Sequence, residues 1–225
     1  DTKTFTLGKL FEMNLSRFTD AIGDIVNSAL QELKIEKELR SIEEKWRVTI
    51  FDLGKYLKNN VFRSWVLRSS EEVKLELEDN LLNLQTISAS RFVGPYAQQV
   101  REWEKKLNHV QETMELWFGV QTRWQYLESI FVGSEDIRMQ LPEEARRFDA
   151  IDKGWIAIMN GTSKNPTVLN ACHADNRYST LDTMNERLES CQKGLSDYLD
   201  TKRNAFPRFF FLSDEELLSV LGSSD

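Results

Sequence analysis

The chain has 225 residues, of which 40% are hydrophobic and 29% charged, with only ten Gly and four Pro. This length is sufficient to bury a sizeable core, and the scarcity of Gly and Pro favours long helices. The formal charge of −7 makes nucleic acid an unfavourable partner, and no run of about eighteen apolar residues is present to span a membrane.

The N-terminal sequence DTKTFTLGKLFEMNL lacks the basic start and the continuous apolar stretch of a signal peptide. Residue 1 is Asp rather than Met, so we expect the chain to be part of a longer protein. Two cysteines, Cys172 and Cys191, are too few for a disulfide framework or a zinc site. The cysteine content therefore indicates a reducing, intracellular setting.

Two helices are predicted at the start of the chain. Apolar residues recur at helical spacing from Leu15 to about Leu33, and a second stripe from 35 to 46 begins at Ile35 and ends at Trp46. The pattern then becomes β-branched and aromatic, which predicts a small hairpin within residues 46–68, with strands near 47–53 and 62–67.

The longest predicted element runs from Pro95 to Phe131, after a helix from about 70 to 87 whose Ser69 and Glu72 have capping-box spacing. Pro95 suits a first helical position because its missing N–H would be unpaired there. Such a helix would be on the order of 55 Å long. Gln121 interrupts its apolar stripe, which indicates a change of packing partner.

The remaining chain is also predicted to be helical. Helices are expected from Pro142 to Met159, from Pro166, and from about Ser179 to Asn204. Residues 160–166 are predicted to be a loop, and residues 209–212 to be briefly extended. Ser213 and Glu216 again have capping-box spacing, which predicts the start of a last helix.

These elements predict a mainly α fold, an elongated bundle of long helices with one small β-hairpin, treated as one domain over residues 1–225. The large apolar side chains on the helical stripes are the predicted core. They are Trp103, Leu107, Trp117, Trp124, Leu127, Phe131, Phe148, Trp155, Leu188, Leu195 and Phe209.

No catalytic or metal-binding group is predicted. His109 and His173 are the only histidines, and His109 lies off its apolar stripe, so we expect an exposed helix residue. Cys172 and His173 are adjacent, but a tetrahedral metal site needs three or four ligands. We expect a buried Cys172 beside a surface His173.

Acidic pairs and a glycine–lysine pair have simpler explanations than catalysis. The paired glutamates lie near predicted helix N-termini, where the helix dipole favours negative charge. Gly54-Lys55 resembles the end of a phosphate loop, but the upstream glycine is absent and Tyr56 replaces the Ser or Thr. We therefore predict no cofactor.

Several segments together resemble a known family. WEKKL (103–107), QTRWQYLESIF (121–131), DIRMQLPEEARRF (136–148) and KRNAFPRFFFLSDEELL (202–218) are similar in order and spacing to the linker region of dynein heavy chains. The resemblance covers nearly the whole chain. Three segments resemble axonemal heavy chains more closely than cytoplasmic ones: SRFVGPY (90–96), VGSEDIRMQLPEEARRF (132–148) and FPRFFFLSD (206–214).

The resemblance implies the N-terminal part of a mainly helical arm that lies across a ring of six AAA+ modules and swings with the nucleotide cycle. It also implies that ATP hydrolysis belongs to the ring, that the partners are the ring of the same heavy chain and other dynein subunits, and that the protein acts in a cilium or flagellum axoneme. Such an arm needs reversible contacts, so Lys55, Arg63, Arg138 and Arg146 are the candidate docking surface.

Two functions stay open from the sequence. The first is a non-catalytic mechanical lever of a dynein motor. The second is a static, spectrin-like scaffold that binds partner proteins and uses the same heptads and acidic surface. AAA+ modules after residue 225 in the full reading frame would favour the motor.

Overall fold

The computed structural model describes residues 6–13 and 15–221, and it is mainly α with one antiparallel hairpin, which confirms the predicted fold class. The helices and strands follow in chain order. They are α1 (Leu7–Glu12), α2 (Thr19–Val48), β1 (Leu53–Lys58), β2 (Val61–Leu67), α3 (Glu71–Ser88), α4 (Ala97–Phe131), α5 (Glu135–Gln140), α6 (Pro142–Lys164), α7 (Val168–Cys172), α8 (Arg177–Ala205) and α9 (Asp214–Leu221).

The chain divides into two compact units, one of residues 1–45 and 79–105 and the other of residues 46–78 and 106–225. The boundaries fall inside α2, α3 and α4. The first unit is helical. Its buried apolar side chains come from α2, α3 and α4, and they are Ile35, Leu39, Ile42, Leu84, Ile87, Val100 and Trp103.

The second unit contains the hairpin and has an aromatic core. Trp124 on α4 stacks on Trp155 of α6 with ring centroids 5.3 Å apart, and Phe131 stacks on Phe148 at 5.5 Å. All four side chains are fully buried. Helix α8 adds Leu188 and Leu195 to this core, so α4, α6 and α8 surround one apolar interior.

The start of α2 differs from the prediction. Residues 15–18 form a 3-10 turn, and α2 then continues from Thr19 to Val48 as one helix rather than two. No Gly or Pro interrupts the chain near residue 34, so nothing breaks the backbone there. The change of stripe was wrongly interpreted as a change of helix.

The first predicted hairpin strand was placed too early, whereas the second, expected near 62–67, agrees with β2 (Val61–Leu67). Arg47 and Val48 belong to α2, and Ile50 pairs instead with Thr167 in an isolated antiparallel bridge. The first strand instead runs from Leu53 to Lys58, where the two-residue turn Asn59-Asn60 ends it.

Two other local predictions were wrong near helix ends. Residues 160–164, predicted as loop, continue α6, because the buried Thr162 extends the inner face and donates its hydroxyl to the Ile158 carbonyl. Residues 207–211 form a 3-10 helix rather than an extended segment.

The capping predictions differ in outcome. Ser213 and Glu216 form the reciprocal box: the Glu216 N–H donates to Ser213 Oγ at 3.2 Å, and the Ser213 N–H donates to Glu216 Oε2 at 2.8 Å. Helix α3 begins one residue later than expected, so Ser69 Oγ accepts instead from the Glu71 N–H.

Candidate functional site

The hairpin β1–β2 has a defined turn and a bulge. Asn59 and Asn60 have φ of 50° and 63°, the left-handed values that a two-residue hairpin turn requires and that Asn tolerates. Tyr56 pairs with Ser64 but Leu57 pairs with Phe62, so Arg63 is an extra residue in β2. Such a bulge redirects the neighbouring side chains.

The inner face of the hairpin, formed by Tyr56, Lys58 and Arg63, contacts a fully buried carboxylate. Glu128 on α4 accepts from Tyr56 Oη at 3.0 Å, from Lys58 Nζ at 3.1 Å and from Arg63 Nε at 3.4 Å. Its side chain has no exposed surface, whereas the two cations keep about a quarter of theirs. Burial and the bond to Glu128 raise the pKa of Tyr56 to about 12, so its hydroxyl remains a donor.

Arg63 also joins the hairpin to a second helix. Its guanidinium donates to Asp152 Oδ2 on α6 at 2.6 Å, and Asp152 Oδ1 accepts from the Trp124 indole N–H at 3.1 Å. Glu128, Asp152 and the inner face are hereafter called the clamp. The clamp satisfies two buried carboxylates and fixes the hairpin to α4 and α6 at once, as buried charges require.

Gln121 attaches the end of β2 to α4. Its amide oxygen accepts from the Leu67 N–H and its amide nitrogen donates to the Leu67 carbonyl, both at 2.8 Å. The side chain thus bonds the strand edge as a neighbouring strand would. This explains the polar residue on the apolar stripe: the packing partner at this point is a backbone edge rather than a side chain.

The opposite side of the hairpin, called the outer face, consists of Lys55, Leu57, Phe62 and Trp65. Lys55 is paired with Trp65 and Leu57 with Phe62 across the strands, and the Phe62 and Trp65 rings meet edge to face at 5.6 Å. Lys55 Nζ lies 6.0 Å from the centre of the Trp65 ring. Leu57 and Phe62 are 52% and 46% exposed.

The four predicted docking residues have different environments. Lys55 is exposed on the outer face, whereas Arg63 belongs to the clamp. Arg138 makes a two-pronged pair with Asp149, at 3.0 and 2.6 Å, and this hydrogen bonding holds the pKa of Asp149 below its ordinary value. Arg146 is exposed and lies 3.6 Å from Glu143. Arg63, Arg138 and Arg146 thus have carboxylate partners within this chain, whereas Lys55 lies on the outer face, and their role as a docking surface stays a prediction.

The predicted core residues are buried with one exception. Trp103, Leu107, Trp117 and Leu127 are at most 7% exposed, as are the predicted core residues of α4, α6 and α8 already described. Phe209, on its 3-10 helix, is only half-buried. Phe206 and Phe210 beside it are 60% exposed, because a 3-10 turn points successive rings in different directions.

The histidine and cysteine predictions need one correction. Cys172 is fully buried, which raises the pKa of its thiol to about 12, and His173 beside it is exposed. His109, expected to be an exposed helix residue, is half-buried and packs against the His173 ring with centroids 4.8 Å apart. Over residues 6–13 and 15–221, no group of three or more His, Cys, Asp or Glu is placed to hold a metal ion.

The clamp was missed from the sequence, although a signal was present. Glu128 follows Gln121 by seven residues, so the two share one face of α4 among apolar neighbours. Polar residues one heptad apart on an apolar stripe indicate a buried polar partner. What the sequence did not supply was the identity of that partner, since the first hairpin strand, which carries Tyr56 and Lys58, was misplaced.

In the part of the chain that the structure describes, no helix is long and apolar enough to cross a bilayer.

The family model for the dynein heavy chain, N-terminal region 2, matches residues 1–225. The chain belongs to this family. It is 56% identical over 225 residues to the dynein-1-alpha heavy chain of the flagellar inner arm I1 complex of Chlamydomonas reinhardtii, and 52% identical over 224 residues to dynein axonemal heavy chain 10 of Homo sapiens. Each alignment covers 100% of this chain but only 5% of the relative.

A third relative, dynein axonemal heavy chain 2 of Homo sapiens, is 42% identical over 224 residues, again with 5% of its length covered. These relatives are axonemal or flagellar heavy chains, which confirms the expected resemblance to axonemal dyneins. The matched region is the N-terminal region of the heavy chain and not its ATPase modules.

Proposed function

We propose that this chain is a mechanical lever segment of an axonemal dynein heavy chain, which transmits ATP-driven changes of an AAA+ ring into movement along microtubules. The partner would be the ring of the same heavy chain, with other dynein subunits as further partners. The site of action would be the axoneme, where the names of the relatives place those proteins.

The clamp is the observation that carries this proposal. A lever transmits force only if it deforms less than the joints at its ends. Interiors packed at crystal-like density resist deformation, and a buried polar network has strict geometry because any displacement leaves a charge unsatisfied. In the second unit, stacked indoles and the clamp fix one hairpin and two helices together.

The chemistry of the described residues supports a non-catalytic role for this segment. Glu128 and Asp152 are saturated by hydrogen bonds and ion pairs, and the thiol of Cys172 stays protonated. We therefore expect the purified chain to show no saturable ATP hydrolysis, with turnover in the full heavy chain arising from the ring.

The test is Glu128→Gln in the full-length heavy chain, assayed by microtubule gliding velocity and by ATP turnover. The neutral amide keeps the shape but removes the charge that holds Lys58 and Arg63. A softened lever should lose velocity per ATP hydrolysed while ATP turnover stays near wild type.

The matched control is Glu189→Gln, which removes a carboxylate from an exposed pair with Arg123 at 3.0 Å and should leave both quantities unchanged. Wild-type velocity per ATP in a Glu128→Gln motor with a demonstrably weakened hairpin would refute the lever. A static scaffold predicts that outcome, with motor assembly as the property lost.

A further inference from the structure

The two histidines of the chain are brought together in the second unit. His109 lies on α4, and His173 directly follows the last residue of α7. Their rings pack with centroids 4.8 Å apart and planes inclined by 60°. The contact is long-range in sequence, and it joins the middle of α4 to the connection between α7 and α8, at a place where the His173 side is open to solvent.

The surroundings of His173 leave one of its ring nitrogens available. Its Nδ1 lies 3.0 Å from the Leu169 carbonyl oxygen, which can only accept, so Nδ1 carries the proton of the neutral ring. The backbone N–H of His173 donates to the same oxygen at 3.0 Å, which fixes the residue at the end of α7. Nε2 therefore keeps its lone pair. Histidines that bind metal ions usually donate their other ring N–H in this way, often to a backbone carbonyl.

The separation of the two rings matches that of two imidazoles on one metal ion. Imidazole nitrogens lie about 2.0–2.1 Å from a bound zinc ion. For angles of about 90° to 109° at the metal, this places the two ring centroids roughly 4.5 to 5.2 Å apart. The observed separation of 4.8 Å falls within that range. Both rings could therefore bind one ion after rotation about their side-chain bonds, without movement of the backbone.

Protonation also favours His173 as a ligand. Partial desolvation lowers the pKa of His173, the hydrogen bond to Leu169 opposes this, and the nearby His109 and Lys106 lower the pKa further, so the ring is neutral at pH 7. A metal ion then has no proton to displace, although the charge of Lys106 opposes the ion as well. Cys172 does not compete as a ligand, because burial raises the pKa of its thiol to about 12 and keeps it protonated.

We propose that His109 and His173 bind one divalent transition-metal ion, with water completing its coordination. A closed tetrahedral site needs three or four protein ligands, but an ion at an open position keeps water in the others. Imidazole suits zinc, copper and nickel, whereas magnesium and calcium require oxygen ligands. Two ligands held in place should bind such an ion roughly a hundredfold more tightly than one.

A bound ion would connect α4 to the α7–α8 connection, both within the second unit. Because the ion binds only where the fold brings the two rings together, it stabilises the folded chain as its concentration rises. The metal site is independent of the lever function, since neither histidine belongs to the clamp. Among the divalent ions that imidazole binds, copper binds a given nitrogen site most tightly, so copper is the probe of choice.

The experiment is copper-catalysed oxidation of the full heavy chain in assembled dynein. Copper ions reduced by ascorbate react with added hydrogen peroxide, and the oxidant formed at the metal converts the imidazoles that hold it to oxo derivatives. Trypsin cleaves after Lys and Arg, so His109 and His173 fall in separate peptides, residues 107–123 and 165–177, and mass spectrometry quantifies each. We expect both histidines to be oxidised with the same half-saturating copper concentration, and excess zinc, which is not redox-active, to suppress both.

Two substitutions of His109 separate metal ligation from packing. His109→Gln removes the imidazole, whereas His109→Phe keeps an aromatic ring against His173 and Tyr178 but has no nitrogen. Both should raise the copper concentration needed to oxidise His173 roughly a hundredfold, and His173→Gln should do the same for His109. The matched control is Tyr178→Phe, which leaves both imidazoles and the ring contact in place and should change neither oxidation.

Several outcomes would overturn the two-histidine site. Oxidation of His173 that is unchanged in both His109 variants would mean that each imidazole binds copper alone, and oxidation lost in His109→Gln but kept in His109→Phe would mean that only packing matters. A loss in Tyr178→Phe as large as in His109→Phe would make the phenol a ligand. In the wild type itself, different half-saturating concentrations at the two histidines, or no protection by zinc, would refute a shared ion without any variant.

Discussion

The first half of α2 and the long helix α4 carry the same kind of apolar stripe and differ in what covers it. On α4, Trp117, Trp124 and Leu127 have no exposed surface. On α2, Ile25 and Val26 are 68% and 51% exposed. Periodicity therefore defines which face of a helix is apolar, but it does not determine whether another element packs against that face.

Within α2 itself the stripe also rotates. At about 100° per residue, the exposed stripe that includes Ile22, Ile25 and Leu33 is offset by roughly 130° from the buried stripe that includes Ile35 and Leu39. A continuous helix can thus turn one face inward along its second half and expose a different apolar face along its first. The same rotation accounts for the two helices predicted where one exists.

The largest expected effect compares the buried stripe of α4 with the exposed stripe of α2. Trp124→Ala should lower the free energy of unfolding by roughly 3 to 5 kcal/mol, because it leaves a cavity against Trp155 and removes the indole donor to Asp152. Ile25→Ala should change it by less than about 0.5 kcal/mol, since that side chain is mostly in water already. Urea unfolding followed by circular dichroism measures both.

Equal effects of the two substitutions would contradict the comparison. A large loss on Ile25→Ala would mean that the α2 stripe is covered in solution, and a small loss on Trp124→Ala would mean that the aromatic core is not packed as described.

Removing the carboxylate of the clamp should have the next largest effect. Glu128→Ala should lower the free energy of unfolding by roughly 2 to 3 kcal/mol. This is less than the roughly 3 to 5 kcal/mol for breaking a fully buried ion pair, because Lys58 and Arg63 can be partly rehydrated. Urea unfolding at low and high salt checks this. The stabilisation that Glu128 gives the wild-type chain should persist in high salt, since Glu128 itself is shielded from solvent.

Glu189→Ala is the reference for this measurement, since Glu189 pairs with Arg123 at the surface. If Glu128→Ala and Glu189→Ala lower the free energy of unfolding equally, the clamp adds no more stability than an exposed ion pair.

Position 121 tests whether an apolar residue on an apolar helical stripe is always more stabilising than a polar one. Gln121→Leu restores the heptad pattern on α4, yet it should destabilise the chain by about 1 to 3 kcal/mol, because the Leu67 N–H and carbonyl lose their partners in a buried position. Gln121→Glu keeps the acceptor but sets a buried carboxylate oxygen against the Leu67 carbonyl, so it should destabilise the chain at least as much as Gln121→Leu. An increase in stability on Gln121→Leu would show that the strand edge is satisfied in another way.

The elements that could be predicted from the sequence are those whose partners are local. Helix α4 follows from its own stripe, and the box at Ser213 and Glu216 follows from contacts three residues apart. The clamp could not be derived in this way. Its members Tyr56, Glu128 and Asp152 are far apart in sequence, and their meeting depends on the turn at Asn59 and the bulge at Arg63, each of which shifts the register by single residues.

The outer face shows the same dependence on register. Lys55 was singled out as an exposed charge, but its grouping with Phe62 and Trp65 follows only from the bulge. Arg63 and Arg138, also singled out for their charge, have intramolecular carboxylate partners that no local pattern indicates. Charge on a hairpin or at a helix end thus predicts an ion pair, without saying whether the partner lies inside or outside the molecule.

The smallest expected effect is a pH dependence at His173. Partial desolvation lowers the pKa of His173 from its ordinary value of about 6.5, although much of the residue is exposed, and the nearby His109 and Lys106 lower it further, against an opposing hydrogen bond to the Leu169 carbonyl. The unfolded chain therefore binds a proton at a higher pH than the folded chain does. Stability should be constant at higher pH and fall as the pH drops below about 6.5.

His173→Gln isolates this contribution because it removes the titrating ring at an exposed position. The difference in unfolding free energy between wild type and variant, measured by urea unfolding at pH 8, 7, 6 and 5.5, should shift against the wild type as the pH falls. A difference that stays constant, or that shifts in favour of the wild type on acidification, would mean that the protonated ring is as well accommodated in the fold as in water. In that case the packing of His109 on His173 contributes through apolar contact alone.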